Sequence, residues 1–493
     1  VPKNNIGQGA FKVRNLKQLA VQSISILLLL VSFYLGPSLN VIEASTSTLP
    51  QNITKKLDTS FSNMIGDTGE KIPGLGVLAV KNGKVVYSDF LGRRYIDKDN
   101  RQKDLPLTKD TRFRIASISK MFTGLAFMQL VEEGKINLDE DVSKYLGFKL
   151  INPSFPTVII TPRMLLSHTS SLRDGKMYSI PPQYSVKEFF IPNGVFYNNG
   201  EHFAKADQPP VEYFQYTNLN YGLLATIMEK ITGERFDIYM RTHLLKQLDI
   251  KGSYNISDFT GIELKQVGTI YQKQTDDKWD DKGPWIPQID DLQGKKPPSK
   301  DSVYISNPDV REYDKFYSLK DYKIGTNATV FSPQGGLHVS TMELQHLLQL
   351  MCDKGVYRGK RIIKAETLAE MWRPQWIYDP VKNNGNTYGG DMTMYGLAVQ
   401  PIAGMGTARF LVNRNVEMVG HFADAYGLVA GIFVEPNKPN GFIYLMNGMA
   451  TSENDNSGHY SGMYHWEEKF TTAILDNIFP EMGIKANTSR SIS

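Results

Sequence analysis

Cysteine is almost missing from this chain: Cys352 is the only one in 493 residues, so no intrachain disulfide can form and a cysteine-built zinc site is excluded. It sits in the apolar run Leu347 to Cys352, where a buried structural thiol is expected rather than a nucleophile. No Gly-x-Ser-x-Gly elbow, no His-Glu-x-x-His pair and no glycine-rich phosphate loop occurs, which removes the usual α/β-hydrolase plan, the zinc peptidases and the nucleotide-binding loops. An excess of charge is missing too. The 55 basic and 51 acidic residues leave +4, scattered without a basic stripe, so nucleic acid is not an expected partner. No internal repeat is present, and no residue pattern calls for a cofactor or a metal ion. With 41% hydrophobic and 22% charged residues, the composition is that of a folded chain and not a disordered one.

The first 44 residues differ from the rest. Lys3, Lys12, Arg14 and Lys17 precede an apolar stretch from Leu19 to Gly36, and no acidic residue occurs before Glu43. This is the pattern of an export signal, with Ile42-Glu43-Ala44 as cleavage site. Its length also suits an uncleaved membrane anchor, so the expected location is outside the cytoplasm: periplasmic, cell-surface or secreted. Residues 45–51 form a polar linker, 52–480 the catalytic domain, and 481–493 a polar tail.

Within that domain, Gly76 to Val80 and Val85 to Tyr87 flank Lys81-Asn82-Gly83-Lys84, a strong hairpin signal. Helical periodicity follows from Arg114 to Gly134, from Asn220 to Ile231 and from Thr341 to Asp353. Two stretches, near 173–210 and 252–329, show no clean period and read as long insertions. Near the carboxyl end, Tyr395 to Gln400, Gly427 to Val434 and Phe442 to Met446 read as strands, and Trp466 to Ile478 as a closing helix. Strands first and last with helices between them imply an α+β fold: an antiparallel sheet built from both chain ends, flanked by helices, with an inserted mainly helical region. A groove between sheet and helices is then the natural site.

Ser117-Ile118-Ser119-Lys120 opens the first strong helix and is the only Ser-x-x-Lys in the chain. Residues three apart share a helix face, so the Lys120 amine can meet the Ser117 hydroxyl as base to nucleophile. The helix behind the pair is apolar on all sides and is expected to be central. From Phe113 to Val142, with Glu133-Gly134-Lys135 and Leu138-Asp139-Glu140-Asp141-Val142, the chain resembles the group of class C β-lactamases, D-alanyl-D-alanine carboxypeptidases and β-lactamase-like esterases. Ile160 to Leu172 is similar as well, with Ser171 where that group has glycine. His168 then corresponds to a structural residue, although a triad base is the other way to read it. Pro333 to Ser340 and Arg361 to Met371 also match and read as architectural.

The resemblance implies a second element, Tyr216-Thr217-Asn218, in which the Tyr216 phenol takes a proton in acylation and returns it to the leaving group, while Asn218 orients Lys120 and the substrate. Tyr197-Asn198-Asn199 is a rival but lies in an insertion. The third element is Gly420-His421-Phe422-Ala423-Asp424, similar to the group's His-x-Gly, with Ala423 in place of the glycine. By resemblance the amides of Ser117 and Asp424 form the oxyanion hole, and Asn218, His421, Ala423 and Asp424 bind substrate. The implied function is a serine hydrolase with a small-molecule or peptide substrate, a D-amino-acid peptide such as cell-wall peptide or an ester. A β-lactamase, and a weakly catalytic penicillin-binding-like receptor, are the alternatives. Neutral His421 would hold a substrate carboxylate less firmly than a lysine, which weighs against the β-lactamase.

Overall fold

The computed structural model describes residues 46–306, 310–452 and 457–483. The expectations for residues 1–44 and for the tail from 484 lie outside them. Among the described residues no helix is long and apolar enough to cross a membrane.

The central sheet draws on both ends of the chain. Strands β1 (Gly74–Lys81) and β2 (Lys84–Tyr95) come from the amino-terminal side. Strands β3 (Gln400–Ile402), β4 (Met418–Ala425), β5 (Leu428–Val434) and β6 (Gly441–Met446) come from the carboxyl-terminal side. The order β2-β1-β6-β5-β4-β3 is antiparallel throughout, and β1 lies along β6 with Val77 opposite Tyr444. The β1–β2 turn forms as expected at Asn82 and Gly83, both at positive φ (53° and 75°), the conformation that an Asn-Gly pair tolerates best.

Because side chains alternate across a strand, each face packs its own layer. Val77, Ala79, Tyr87, Phe433 and Phe442 face α1 (Gln51–Ser62) and, at the carboxyl end, the helix His465–Asn477; Phe61 and Phe470 stack at 5.3 Å between those two helices. Leu78, Val80, Ile432 and Leu445 face the opposite layer, which holds α2 (Ser119–Glu132), α3 (Leu219–Thr232) and α4 (Thr341–Cys352). The helix His465–Asn477 is α5. Nearly every α2 side chain is buried, as its all-round apolarity requires. Gly124 makes this fit possible: a β-carbon there would stand 2.3 Å from that of Ala398.

Four expectations are corrected. The helix read from Arg114 begins at Ser119, because Arg112–Arg114 is a strand paired with His338–Ser340 and Ala116 breaks the run at φ 42°. The strand read over Tyr395 to Gln400 is two pieces, since Gly396 N–H donates to the Val399 carbonyl (2.9 Å) across a turn with Ala398 at φ 62°. Cys352 is half-buried rather than buried; its thiol is nonetheless pushed up to about 12 by desolvation, which suits no nucleophile. The insertions are ordered structure. Met177, Ile180, Phe189 and Phe196 join the main core, and 252–329 contains the strands Ile270–Thr275, Trp285–Ile289, Ser302–Ile305 and Lys315–Ser318.

Ser171, the serine in a glycine's place, stands at φ 61° with its hydroxyl buried and, among the described residues, without a hydrogen-bond partner. Both features cost stability. Ser171→Gly is expected to stabilise the protein by about 1 kcal/mol, read as a higher urea midpoint at unchanged slope.

Candidate active site

Ser117 lies on the 3-10 turn Ala116–Ile118 that feeds into α2, and between Thr111 and Lys120 it is the one residue that is not buried. Ala116, immediately before it, is in the left-handed conformation at φ 42°, and Ser117 lines the groove. Lys120, one turn on, is fully buried.

Three hydrogen bonds fix the lysine. Its Nζ lies 3.2 Å from Ser117 Oγ, 2.9 Å from Asn218 Oδ1 and 3.0 Å from the Gln334 carbonyl oxygen. The last two can only accept. A neutral amine therefore spends its two N–H bonds on them and directs its lone pair at the Ser117 hydroxyl. Burial favours that neutral form and lowers the Lys120 pKa to about 7, with nearby Asp174 pulling the other way. Gln334, in a segment expected to be architectural, thus touches the lysine through its carbonyl.

The amide of Asn218 is itself held. Its Nδ2 donates to Asp174 Oδ2 at 3.0 Å, while Asp174 Oδ1 accepts the Leu219 N–H at 2.8 Å and so caps α3 from a distant segment. This sets which way the Asn218 amide faces. Asp174 was not foreseen, because it stands at the start of an unpatterned insertion and no spacing marks it; the one available signal was an acidic residue three positions after Ser171. Removing its charge removes the one anion that raises Lys120. Asp174→Asn is expected to move the rising limb of the kcat/KM pH profile to lower pH, with a lower kcat from the loosened Asn218; an unmoved limb would show that the carboxylate does not sense Lys120.

Tyr216 stands just before α3, as expected. Its ring stacks on His168 with centroids 4.3 Å apart, and Lys120 Nζ lies 4.6 Å from its centre. The phenol oxygen is buried without a hydrogen bond of regular geometry among the described residues. Burial raises its pKa well above the ordinary value, which the neighbouring Ser117 hydroxyl only partly counteracts. His168 Nδ1 accepts the Thr217 N–H at 3.0 Å, and burial keeps the ring neutral, so it supports the tyrosine. The rival Tyr197 caps the 3-10 turn Asn198–Gly200 inside the first insertion.

On β4 the side chains alternate. Ala423 lines the groove beside Ser117. The Asp424 carboxylate accepts from the Tyr464 hydroxyl. His421 departs from expectation: its ring is fully buried, with Nε2 2.7 Å from the Tyr395 hydroxyl and Nδ1 against the Phe422 carbonyl, and it does not face the groove. Desolvation and Lys120 push its pKa down to about 3, so it carries no charge with which to hold an anion. Strand β3 pairs only with Met418, Val419 and Gly420, which leaves the β4 edge from His421 onward uncovered by a strand among the described residues. The groove has a volume of about 430 Å³; Ser117, Tyr216, Met392, Ala423 and Tyr464 line it together with Asp424.

A family model described as Beta-lactamase matches residues 59–462. Protein flp of Staphylococcus aureus (strain MW2) is 32% identical over 219 residues, 42% of this chain and 41% of that protein, so the chain spans about two fifths of this relative's length. Among solved structures, the octameric penicillin-binding protein homologue from Pyrococcus abyssi superposes with a TM-score of 0.55 at 24% identity, over 88% of this chain and 78% of the other. The D-amino acid amidase from Ochrobactrum anthropi SV3 does so with 0.56 at 16% identity, over 86% and 99%. These likenesses show a shared fold.

Proposed function

The chain belongs to the β-lactamase family, and we propose that it is a serine hydrolase that forms an acyl-enzyme on Ser117 with a D-amino-acid peptide or an ester. The observation that carries this is the Lys120 Nζ 3.2 Å from Ser117 Oγ, with its other two partners both acceptors. Neutral Lys120 takes the Ser117 proton as Oγ attacks the substrate carbonyl carbon. The amides of Ser117 and Asp424 hold the oxyanion. As the intermediate collapses, the scissile bond breaks and the leaving group takes the Tyr216 proton, which the Lys120 ammonium replaces. Water then attacks the acyl carbon by the same route in reverse. Burial, by raising Tyr216 and lowering Lys120, favours the lysine as base to Ser117, as the spacing of the pair suggested, and leaves the tyrosine the donor's part without the proton uptake that the resemblance implied.

Electrostatics favour peptides and esters over β-lactams. Asp391 and Glu467 line the groove with Asp424, and burial raises the first two to about 7 and about 8. An ammonium group on the substrate would draw them into their charged forms, whereas a β-lactam carboxylate would find no cation at the buried His421 and would face three acids. An exported location belongs to the same proposal, on the strength of the basic and apolar segment before residue 45.

Intact-mass analysis of the full chain treated with a fluorophosphonate, and separately with a penicillin, tests the reading. One adduct per chain with the fluorophosphonate is expected, and none in Ser117→Ala. Failure of both reagents would favour a non-hydrolytic receptor; faster turnover of nitrocefin than of p-nitrophenyl esters would favour a β-lactamase.

A further inference from the structure

At the amino-terminal end of α5 three side chains converge that the hydrolase reading does not use and that do not line the groove. His459 precedes the helix, His465 is its first residue and Glu468 follows one turn later, so His465 and Glu468 share a face. Their ligand atoms all lie within 4.8 Å of one another. His459 Nδ1 is 3.1 Å from His465 Nδ1 and 3.5 Å from Glu468 Oε2.

We propose that His459, His465 and Glu468 bind a zinc-type divalent cation that braces the groove wall. Two imidazole nitrogens and one carboxylate oxygen, with a water in the fourth position, are a ligand set that zinc takes at bonds of about 2.0–2.2 Å, which puts neighbouring ligand atoms about 3.3 Å apart. Two edges of the triangle already bracket that spacing.

The carboxylate is prepared for the role. Glu468 Oε1 is saturated by the Tyr460 and Ser461 N–H groups, at 3.0 Å each, and by the Ser461 hydroxyl at 2.7 Å. Among the described residues Oε2 accepts only the His459 N–H, at 2.9 Å, and keeps a lone pair for the side of His459 Nδ1. A second carboxylate stands behind the ligands, since Glu70 Oε2 is 3.6 Å from His465 Nε2. At that distance Glu70 is an ion-pair neighbour rather than a hydrogen-bond partner, placed on the Nε2 side of the ring and so away from the Nδ1 that faces His459. A cavity of about 1040 Å³ between α1 and α5, lined by His459, His465, Glu70 and Glu468, gives a hydrated ion an entry path.

The consequence for the groove is direct. The same short segment that supplies His459 also supplies Ser457, Gly458, Ser461, Gly462 and Tyr464 to the wall opposite Ser117. A cation tying His459 to α5 would hold that wall in place, well apart from the acylation chemistry.

Zinc ion itself is the probe, titrated into the full, untagged chain after chelator treatment, in competition with a chromophoric chelator and with thermal melts in parallel. One zinc per chain and a saturable rise in the melting midpoint are expected. His459 is 72% exposed on its side chain, so His459→Ala leaves the fold intact; it is expected to weaken binding by roughly tenfold or more, and Glu70→Gln by less. The exposed His243–Glu234 pair (2.9 Å) is the matched control, and His243→Ala is expected to bind zinc as the wild type does. Absence of saturable uptake, or unchanged affinity in His459→Ala, would overturn the site. Neither result bears on Ser117, whose labelling is read separately.

Discussion

Replacing Lys120 by methionine is expected to slow acylation of Ser117 by about 10³–10⁴-fold, the upper range for removing a general base. Methionine keeps the length and apolar character of the stem, so the packing of α2 is disturbed little. It has no lone pair to take the Ser117 proton. The pH profile separates this cause from simple misfolding. Burial lowers Lys120 to about 7, so its neutral, basic form accumulates as pH rises through that value. Wild-type kcat/KM for a p-nitrophenyl ester should therefore climb with pH, level off above about 7 and fall about tenfold per unit below it. The Lys120→Met variant should lose this limb. Were the limb to persist unchanged in the variant, another group would be the base.

Tyr216→Phe is expected to cost about 10²–10³-fold on an amide or peptide substrate and much less on a p-nitrophenyl ester. The two losses differ because the phenol acts as proton donor. An amine must be protonated to leave, whereas p-nitrophenolate departs unaided. Phenylalanine preserves the stack on His168 at 4.3 Å and the ring face beside Lys120, so the variant removes the hydroxyl and little else. Equal losses on both substrates would instead assign Tyr216 to the attack step, as the family resemblance implied. Single-turnover rates on matched amide and ester substrates would decide between the two.

The parts of the site that were legible in the sequence are those that sit on periodic elements. Ser117 and Lys120 are three apart at the head of a helix whose apolarity shows in its composition, and Tyr216 precedes a second helix closed by Gly233. The sheet was legible for the same reason: Val77 to Val80 and Leu428 to Val434 are near-continuous apolar runs, as strands buried on both faces must be. Asp174 and the Gln334 carbonyl were not legible. Both act across long loops, through one side chain and one backbone oxygen, and neither leaves a period. The strands of the second insertion were hidden for another reason. They are short and are joined by charged turns such as Asp276-Asp277, both at positive φ, which carry none of the usual Asn-Gly signal. His421 shows a further limit: alternation along β4 fixes which face a residue takes, but not whether the ring reaches the groove or stops against Tyr395.

The pairing of β1 with β6 ties residue 77 to residue 444, and β4, the strand beside the nucleophile, lies beyond β6 in the sheet. A ribosome that has delivered everything up to α4 has therefore released a serine and its lysine on a helix whose apolar side has no sheet to rest against. Chemistry waits for the last tenth of the polypeptide. The sheet cannot close until β6 has been made, so a premature stop before Met446 is expected to give a chain without its central strand, a target for proteolysis rather than a weakened hydrolase.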